Sequence, residues 1–267
     1  MVFGMTVAGS LCSTFLGVSL RTWDALRLGR VTGVTWSEPT ITEVNLLDIQ
    51  LRLADIVRVF KFSAWEESTK TGADWEWWIG QPGRWLGLRI QAKKIHRYGR
   101  RYPKLAYRSA SGLQADLLIG DAIPTMTPLY CFYNYWDDSP PRMWWNCPHF
   151  QRDPRLLGCA IADAYAVRNL IHAGKNRVDD VLPLCLPWSC LACCSCDIAP
   201  GERVEDRVAG VLQALPGREN RPPPPIHTEL PLYVQAALEG RLVEQEPPHV
   251  PLLLVLNAQG FEARRRG

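Results

Sequence analysis

The turn signal Pro82-Gly83 separates two runs in which polar and apolar residues alternate, and this pattern constrains the fold more than any other stretch of the chain. Residues 72–79 read Gly-Ala-Asp-Trp-Glu-Trp-Trp-Ile. In a strand, successive side chains point to opposite faces, so Asp74, Glu76 and Trp78 share one face and Ala73, Trp75, Trp77 and Ile79 the other. Residues 86–93 alternate again, with Leu86, Leu88, Ile90 and Ala92 apolar and Arg89, Gln91 and Lys93 polar. With Pro82 and Gly83 central to the turn, an antiparallel hairpin sets Asp74 across from Gln91 and Glu76 across from Arg89, with directly opposed side chains roughly 5 Å apart. A carboxylate, an amide and an amine then converge on one face, which the alternation predicts to be solvated on both strands.

Asp74 followed on the next strand by Gln91-Ala92-Lys93 resembles the PD-(D/E)XK nuclease superfamily, in the variant where glutamine replaces the second acid. The longer Trp-rich signature, Gly-Ala-Asp-Trp-Glu-Trp-Trp and then Leu-Arg-Ile-Gln-Ala-Lys-Lys, is more specific and resembles an uncharacterised bacterial family of that type. The likeness runs from about Trp23 through residues 130–134 (Tyr-Cys-Phe-Tyr-Asn) and 186–188 (Leu-Pro-Trp). It implies an α/β fold with a restriction-endonuclease-like core, a central mixed sheet flanked by helices, bearing a C-terminal elaboration. It also implies a metal-dependent endonuclease that hydrolyses phosphodiester bonds, DNA favoured over RNA, with Mg²⁺ or Mn²⁺ as cofactor. Asp74 is then a metal ligand, Gln91 or the backbone carbonyl of Ala92 adds an oxygen ligand, and Lys93 orients the attacking water and stabilises developing charge.

The chemistry of phosphodiester hydrolysis fits these residue types. A divalent cation neutralises phosphate oxygens and lowers the pKa of a bound water, and hard cations take oxygen ligands. A neutral amide at position 91 attracts a dication less than a carboxylate would, so further charge is sought upstream. Ser37-Glu38-Pro39 reads as a helix start, and Leu46, Leu47, Ile49, Leu53, Ile56 and Val57 give an apolar stripe behind it. Glu38 and Glu43 are both candidates to complete the site. Each is equally explained as an acid complementing the positive helix N-terminus.

Lys94, Arg97, Arg100, Arg101 and Lys104 follow the site directly, interleaved with Tyr98, Tyr102 and Tyr107, as a nuclease needs for gripping phosphates and stacking bases. A solvated basic loop is the competing reading. The whole chain carries a formal charge of only +3, so the basicity is local.

Residues 111–119 are predicted to form a helix, on which Gln114 either reaches the active site or substrate or, as the commoner case, lies on the helix surface, and residues 128–135 an aromatic strand, giving the order helix, hairpin, helix, strand. Another helix is predicted over 161–171, and Trp144 and Trp145 suggest a packed elaboration. Pro222 to Pro225 divide a nuclease domain, 1–221, from a Pro-rich linker and C-terminal segment, 222–267, expected to dock on the body through a helix over 233–242 and a strand over 251–256. Arg264 to Arg266 read as a basic tail.

Nine cysteines raise the alternative of a zinc-stabilised interaction protein, built on Cys190 and Cys193 with Cys185, Cys194, Cys196 and the Cys147-Pro148-His149 segment. A second well-spaced CxxC is missing, so free, buried thiols in a reducing cytoplasm are expected instead. The first twenty residues carry no charge, yet Gly, Ser and Thr interrupt the apolar run and no basic segment precedes it. An amphipathic helix through Leu16, Leu20, Trp23 and Leu26 is expected there, with a cytoplasmic protein that does not engage the membrane. A third reading keeps the nuclease fold and the basic segment but not catalysis: an inactive nucleic-acid-binding module.

Overall fold

The computed structural model describes residues 7–62, 71–96, 100–137, 146–147, 152–193, 203–241 and 250–259. Arg97, Tyr98, Trp144, Trp145, Pro148, His149, Cys194, Cys196 and the 264–266 tail lie outside these residues. Helix α1 (Val7–Thr32) buries Leu11, Phe15, Val18 and Thr22 at helical spacing; of the expected stripe Trp23 is buried and Leu26 packs against the core, while Leu16 and Leu20 are only half-buried. Helix α2 (Glu38–Arg52) starts where the sequence places it. The Ser37 side chain accepts from Thr40 N–H at 3.2 Å, and Pro39 sits in the first turn, where its missing N–H leaves no helical bond unmade.

Strand β1 (Val57–Lys61) precedes the hairpin of β2 (Trp75–Gln81) and β3 (Arg84–Lys94). Gly83, at φ +88°, supplies the left-handed turn position that a side chain would resist. After the short ribbon of β4 (Arg108–Ser109) and β5 (Gly112–Leu113) come α3 (Gln114–Ala122) and β6 (Thr127–Tyr133). The order helix, hairpin, helix, strand is found with β1 added between α2 and the hairpin, so Val57 belongs to a strand and not to the helical stripe expected behind Ser37, and β6 lies parallel to β3 beyond the α3 crossover.

Strand β7 (Cys159–Asp163) leads into α4 (Ala164–His172), which corrects the single helix expected over 161–171. Asp163 explains the break: its carboxylate accepts from the N–H groups of Tyr165 and Ala166, so the helix begins behind it. The remaining α-helices and strands are α5 (Val178–Val181), β8 (Cys185–Pro187), α6 (Cys190–Cys193), α7 (Val204–Gln213), β9 (Ile226–His227), α8 (Leu232–Leu238) and β10 (Leu252–Asn257).

The main sheet runs β1-β10-β2-β3-β6-β7-β8, with β9 paired to β3. It is mixed: β10 is parallel to β2 and β6 to β3, and the other neighbours are antiparallel. Helices α1, α2 and α7 pack on the face carrying Trp75, Trp77, Leu86, Leu88 and Ile90. On the opposite face, α3 and α4 cover Tyr130, Phe132 and Ala162, while Leu230 and Val234 cover Trp78, Trp85 and Leu253. Strand β10 sits inside the sheet, so the chain beyond the prolines supplies an internal strand of the body as well as a docked helix.

Covering both faces corrects the solvated hairpin face. Glu76, Arg89, Gln91 and Lys93 are all buried. Glu76 is held by Arg89 Nη2 at 2.5 Å and by the Tyr233 hydroxyl at 2.8 and 2.5 Å, and Arg89 also pairs with Asp121. Such burial is tolerated because the charges are paired.

The expectation of free cysteines is corrected at one pair. A disulfide joins Cys12 on α1 to Cys193 on α6, whose Cα atoms lie 4.8 Å apart. Cys131, Cys159 and Cys185 are free and buried, and Cys147 and Cys190 are buried as well. Among the described residues no cluster of three or more His, Cys, Asp or Glu side chains is arranged to hold a metal, and no helix is long and apolar enough to cross a membrane.

Candidate active site at the mouth of the hairpin

The hairpin pairs Trp75 with Ile90 and Glu76 with Arg89, the register set by the Pro82-Gly83 turn. Asp74 enters β2 by donating its N–H to the Ile90 carbonyl at 2.8 Å. Its carboxylate Oδ2 accepts from the Ala92 N–H at 2.6 Å and from the Gln91 side-chain amide, which also donates to the Ala92 carbonyl at 2.9 Å. Asp74, Gln91 and Lys93 therefore meet as the alternation predicts.

Lys93 Nζ donates to Gln114 Oε1 at 2.6 Å. Gln114 is thus buried at the site, the less common of its two expected places, and not on the helix surface, because α3 begins directly over the end of β3. Gly72 permits that approach. At φ +66° it is in a glycine-favouring conformation, and a Cβ there would lie 2.5 Å from the Gln114 carbonyl oxygen.

Of the two upstream acids, Glu38 reaches the site, where Oε1 accepts from the Lys94 N–H at 2.9 Å. Glu43 does not. It is exposed and pairs with Lys61 on β1 at 2.8 Å. Five residues turn an α-helix by about 140° beyond a full revolution, which points the two acids in different directions.

Burial raises the Asp74 carboxyl to about 6, with Glu38 adding to the rise and Lys93 and the Ala92 N–H opposing it. Asp74 keeps some surface open to solvent, but the protein atoms packed around its carboxylate dominate. Burial lowers the Lys93 ammonium, against the pull of Asp74 and Glu38, and Lys104 lowers it further. Lys94 is shifted the same way by burial and Lys104 and held up by Glu38.

Tyr130, the β6 partner of Gln91, is a group that the sequence reading missed. Burial, with Asp74 and Asp116 nearby, raises its hydroxyl, which has no hydrogen-bond partner among the described residues. Its only signal in the sequence is membership of an aromatic strand.

The donor set suits a hard cation. The Asp74 carboxylate and the Ala92 carbonyl already converge on one amide nitrogen of Gln91, and the Gln91 amide oxygen is buried without a hydrogen-bond partner among the described residues. Rotation of that amide would present three oxygens together, with the Glu38 carboxylate close enough to influence Asp74 electrostatically.

The basic segment divides. Lys94 and Lys104 line a cavity of about 530 Å³ that opens beside Glu38, with walls including Trp36, Pro39 and Tyr135. Arg100 turns away, pairing with Asp179 at 3.6 Å, and Arg101 is exposed and bridges to Arg177 through its backbone.

Together, fold and site define an α/β protein with a mixed sheet and a largely buried cluster of a carboxylate, two amides and a lysine at the hairpin mouth. The chain belongs to a family of unknown function, DUF6615, which matches it over residues 11–261. No curated protein matches it.

Proposed function

We propose that this protein is a metal-dependent nuclease with a restriction-endonuclease-like core of the PD-(D/E)XK type, acting on DNA. The observation that carries the reading is the meeting of Asp74, the Gln91 amide, the Ala92 carbonyl and Lys93 on two adjacent strands, with Glu38 arriving from α2. The parallel β3-α3-β6 unit beside the hairpin supports it at the level of topology.

A bound Mg²⁺ or Mn²⁺ would supply positive charge to the phosphate and acidify a water. Asp74, Gln91 and Ala92 are the residues that would hold it. Lys93, fixed by Gln114, keeps its ammonium beside Asp74, where it can orient a nucleophilic water and stabilise charge growing on phosphate oxygens. Lys94 and Lys104 attract the substrate backbone.

Incubation of the purified protein with plasmid DNA and with RNA, with and without Mg²⁺ or Mn²⁺, tests the reading; metal-dependent strand cleavage is expected. The neutral Gln91 in place of a second acid favours one alternative, a nucleic-acid-binding module without catalysis, which nucleic-acid binding without cleavage under every metal condition would support.

A further inference from the structure

We infer that the cavity beside Glu38 receives one unstacked nucleotide of a single-stranded substrate, its base against Trp36 and Tyr135 and its phosphate beside Lys94 and Lys104; the choice of nucleic acid as ligand rests on the nuclease reading. The cavity measures about 530 Å³, within the roughly 300–1,000 Å³ typical of small-ligand sites. A base inside a duplex is stacked and paired and cannot enter such a recess without first leaving the helix, whereas a base in a single strand enters at little cost.

The lining suits a nucleotide. Trp36 and Tyr135 are half-buried, so each is anchored yet contributes to the wall. Tyr135 is braced by an edge contact to Trp23, with ring centroids 5.2 Å apart, and the Trp36 side chain packs against the hydrophobic core, while its backbone carbonyl accepts from Lys94 Nζ. Aromatic walls fixed before binding stack on any base with little ordering cost. Among the described lining residues Glu38 is the only acid, against Arg30, Lys94 and Lys104, and Arg30 is paired to Asp137.

The cavity is also joined to the candidate active site by the end of one strand. Lys93 and Lys94 are consecutive on β3 and so point to opposite faces, Lys93 toward Asp74 and Gln114, Lys94 toward Trp36 and the cavity. Glu38 lines the cavity and acts electrostatically on both lysines and on Asp74. A single strand crossing the end of β3 can then place one phosphate at Asp74 and Lys93 and the adjoining nucleotide in the cavity.

Fluorescence anisotropy with an end-labelled 12-nucleotide single strand, and with the same sequence as a blunt duplex, tests this in buffer without divalent ions. The single strand is expected to bind at least about tenfold more tightly, and Trp36→Ala to weaken it by about tenfold while leaving duplex binding unchanged. Trp36→Phe should retain most of the affinity. Lys104→Glu, at an exposed position that does not threaten folding, should weaken binding of the single strand and reduce its salt dependence. Equal affinity for both forms, or equal loss on both with Trp36→Ala, overturns the cavity assignment even if the protein cleaves DNA. Selective, Trp36-dependent binding by a protein that never cleaves upholds it and removes the nuclease reading instead. Failure to bind any nucleic acid overturns both.

Discussion

The side-chain amide of Gln91 donates to the carboxylate of Asp74 across the hairpin and, through the same nitrogen, to the carbonyl of Ala92. The amide hydrogens occupy the place where two oxygens converge, so in this arrangement Gln91 supplies the positive end of a dipole that a cation would supply in full. Substituting Glu at position 91 removes that donor and sets two carboxylates face to face. We therefore expect Gln91→Glu to keep or strengthen the Mg²⁺ dependence of cleavage, and to be less stable than wild type in chelator. Asp74→Ala and Lys93→Ala should each lower cleavage by about 100- to 1000-fold while nucleic-acid binding largely survives. Single-turnover cleavage alongside binding measurements checks this, and unchanged cleavage by Asp74→Ala would remove Asp74 from the chemistry.

Titration of Asp74 gives a second expectation. Burial raises its carboxyl from 3.8 to about 6, so ionising it is harder in the folded chain than in the unfolded one. The stability tied to this shift is fully present below the unfolded value and is lost as pH rises through about 6, a change on the order of 3 kcal/mol. Asp74→Asn should thus raise Tm at about pH 8 and leave it nearly unchanged at about pH 4. Mg²⁺ should raise the Tm of wild type at about pH 8, because it offsets the same desolvated charge, and should do much less for Asp74→Asn. Thermal unfolding at the two pH values decides it; a lower Tm for Asp74→Asn at both would show that the carboxylate stabilises the fold.

The hairpin was legible in the sequence because period-two alternation and a Pro-Gly turn fix both face and register, and a one-residue slip would exchange every buried side chain. The start of α2 at Ser37-Glu38-Pro39 was legible for a similarly local reason, the capping chemistry. What covers the hairpin was not. Leu230, Tyr233 and Val234 close the face bearing Glu76 from more than 150 residues away in the sequence, and nothing in the alternation distinguishes a solvated acid from one that a distant tyrosine will meet. The choice of Glu38 over Glu43 depends on how α2 is rotated against β3, and the place of Gln114 depends on the close approach at Gly72, both of them tertiary facts.

The cysteine segment carries a third prediction. Cys12 and Cys193 are separated by 181 residues in the sequence, so the disulfide closes a long loop, and its removal should cost about 2–5 kcal/mol. Peptide mapping under non-reducing conditions should recover Cys12 linked to Cys193. Reductant should lower the unfolding midpoint of wild type and leave that of Cys12→Ser unaffected. Because Cys193 is engaged in this bond, elemental analysis should find less than one equivalent of zinc. A full equivalent, lost together with folding when Cys190 and Cys193 are replaced, would show that the segment is a metal site.

The final prediction concerns the charges buried behind the site. Glu76 has no exposed surface, and Arg89 retains 7 %. Each is the cross-strand partner of the other, with Asp121 completing the pairing of Arg89 and Tyr233 that of Glu76. Removing one member leaves the other charged in a low-dielectric interior, so Arg89→Met should cost about 3–5 kcal/mol in urea unfolding. The double variant Arg89→Met with Glu76→Gln should cost less than Arg89→Met alone, because no charge on the hairpin is then left without its partner. Tyr233→Phe should cost only about 1–3 kcal/mol, the loss of a hydrogen bond to a charged group. If the effects of Arg89→Met and Glu76→Gln, each measured alone, simply add in the double variant, the pair is not coupled, and the burial of this face must be stabilised by the apolar contacts of Trp78, Leu230 and Val234 instead.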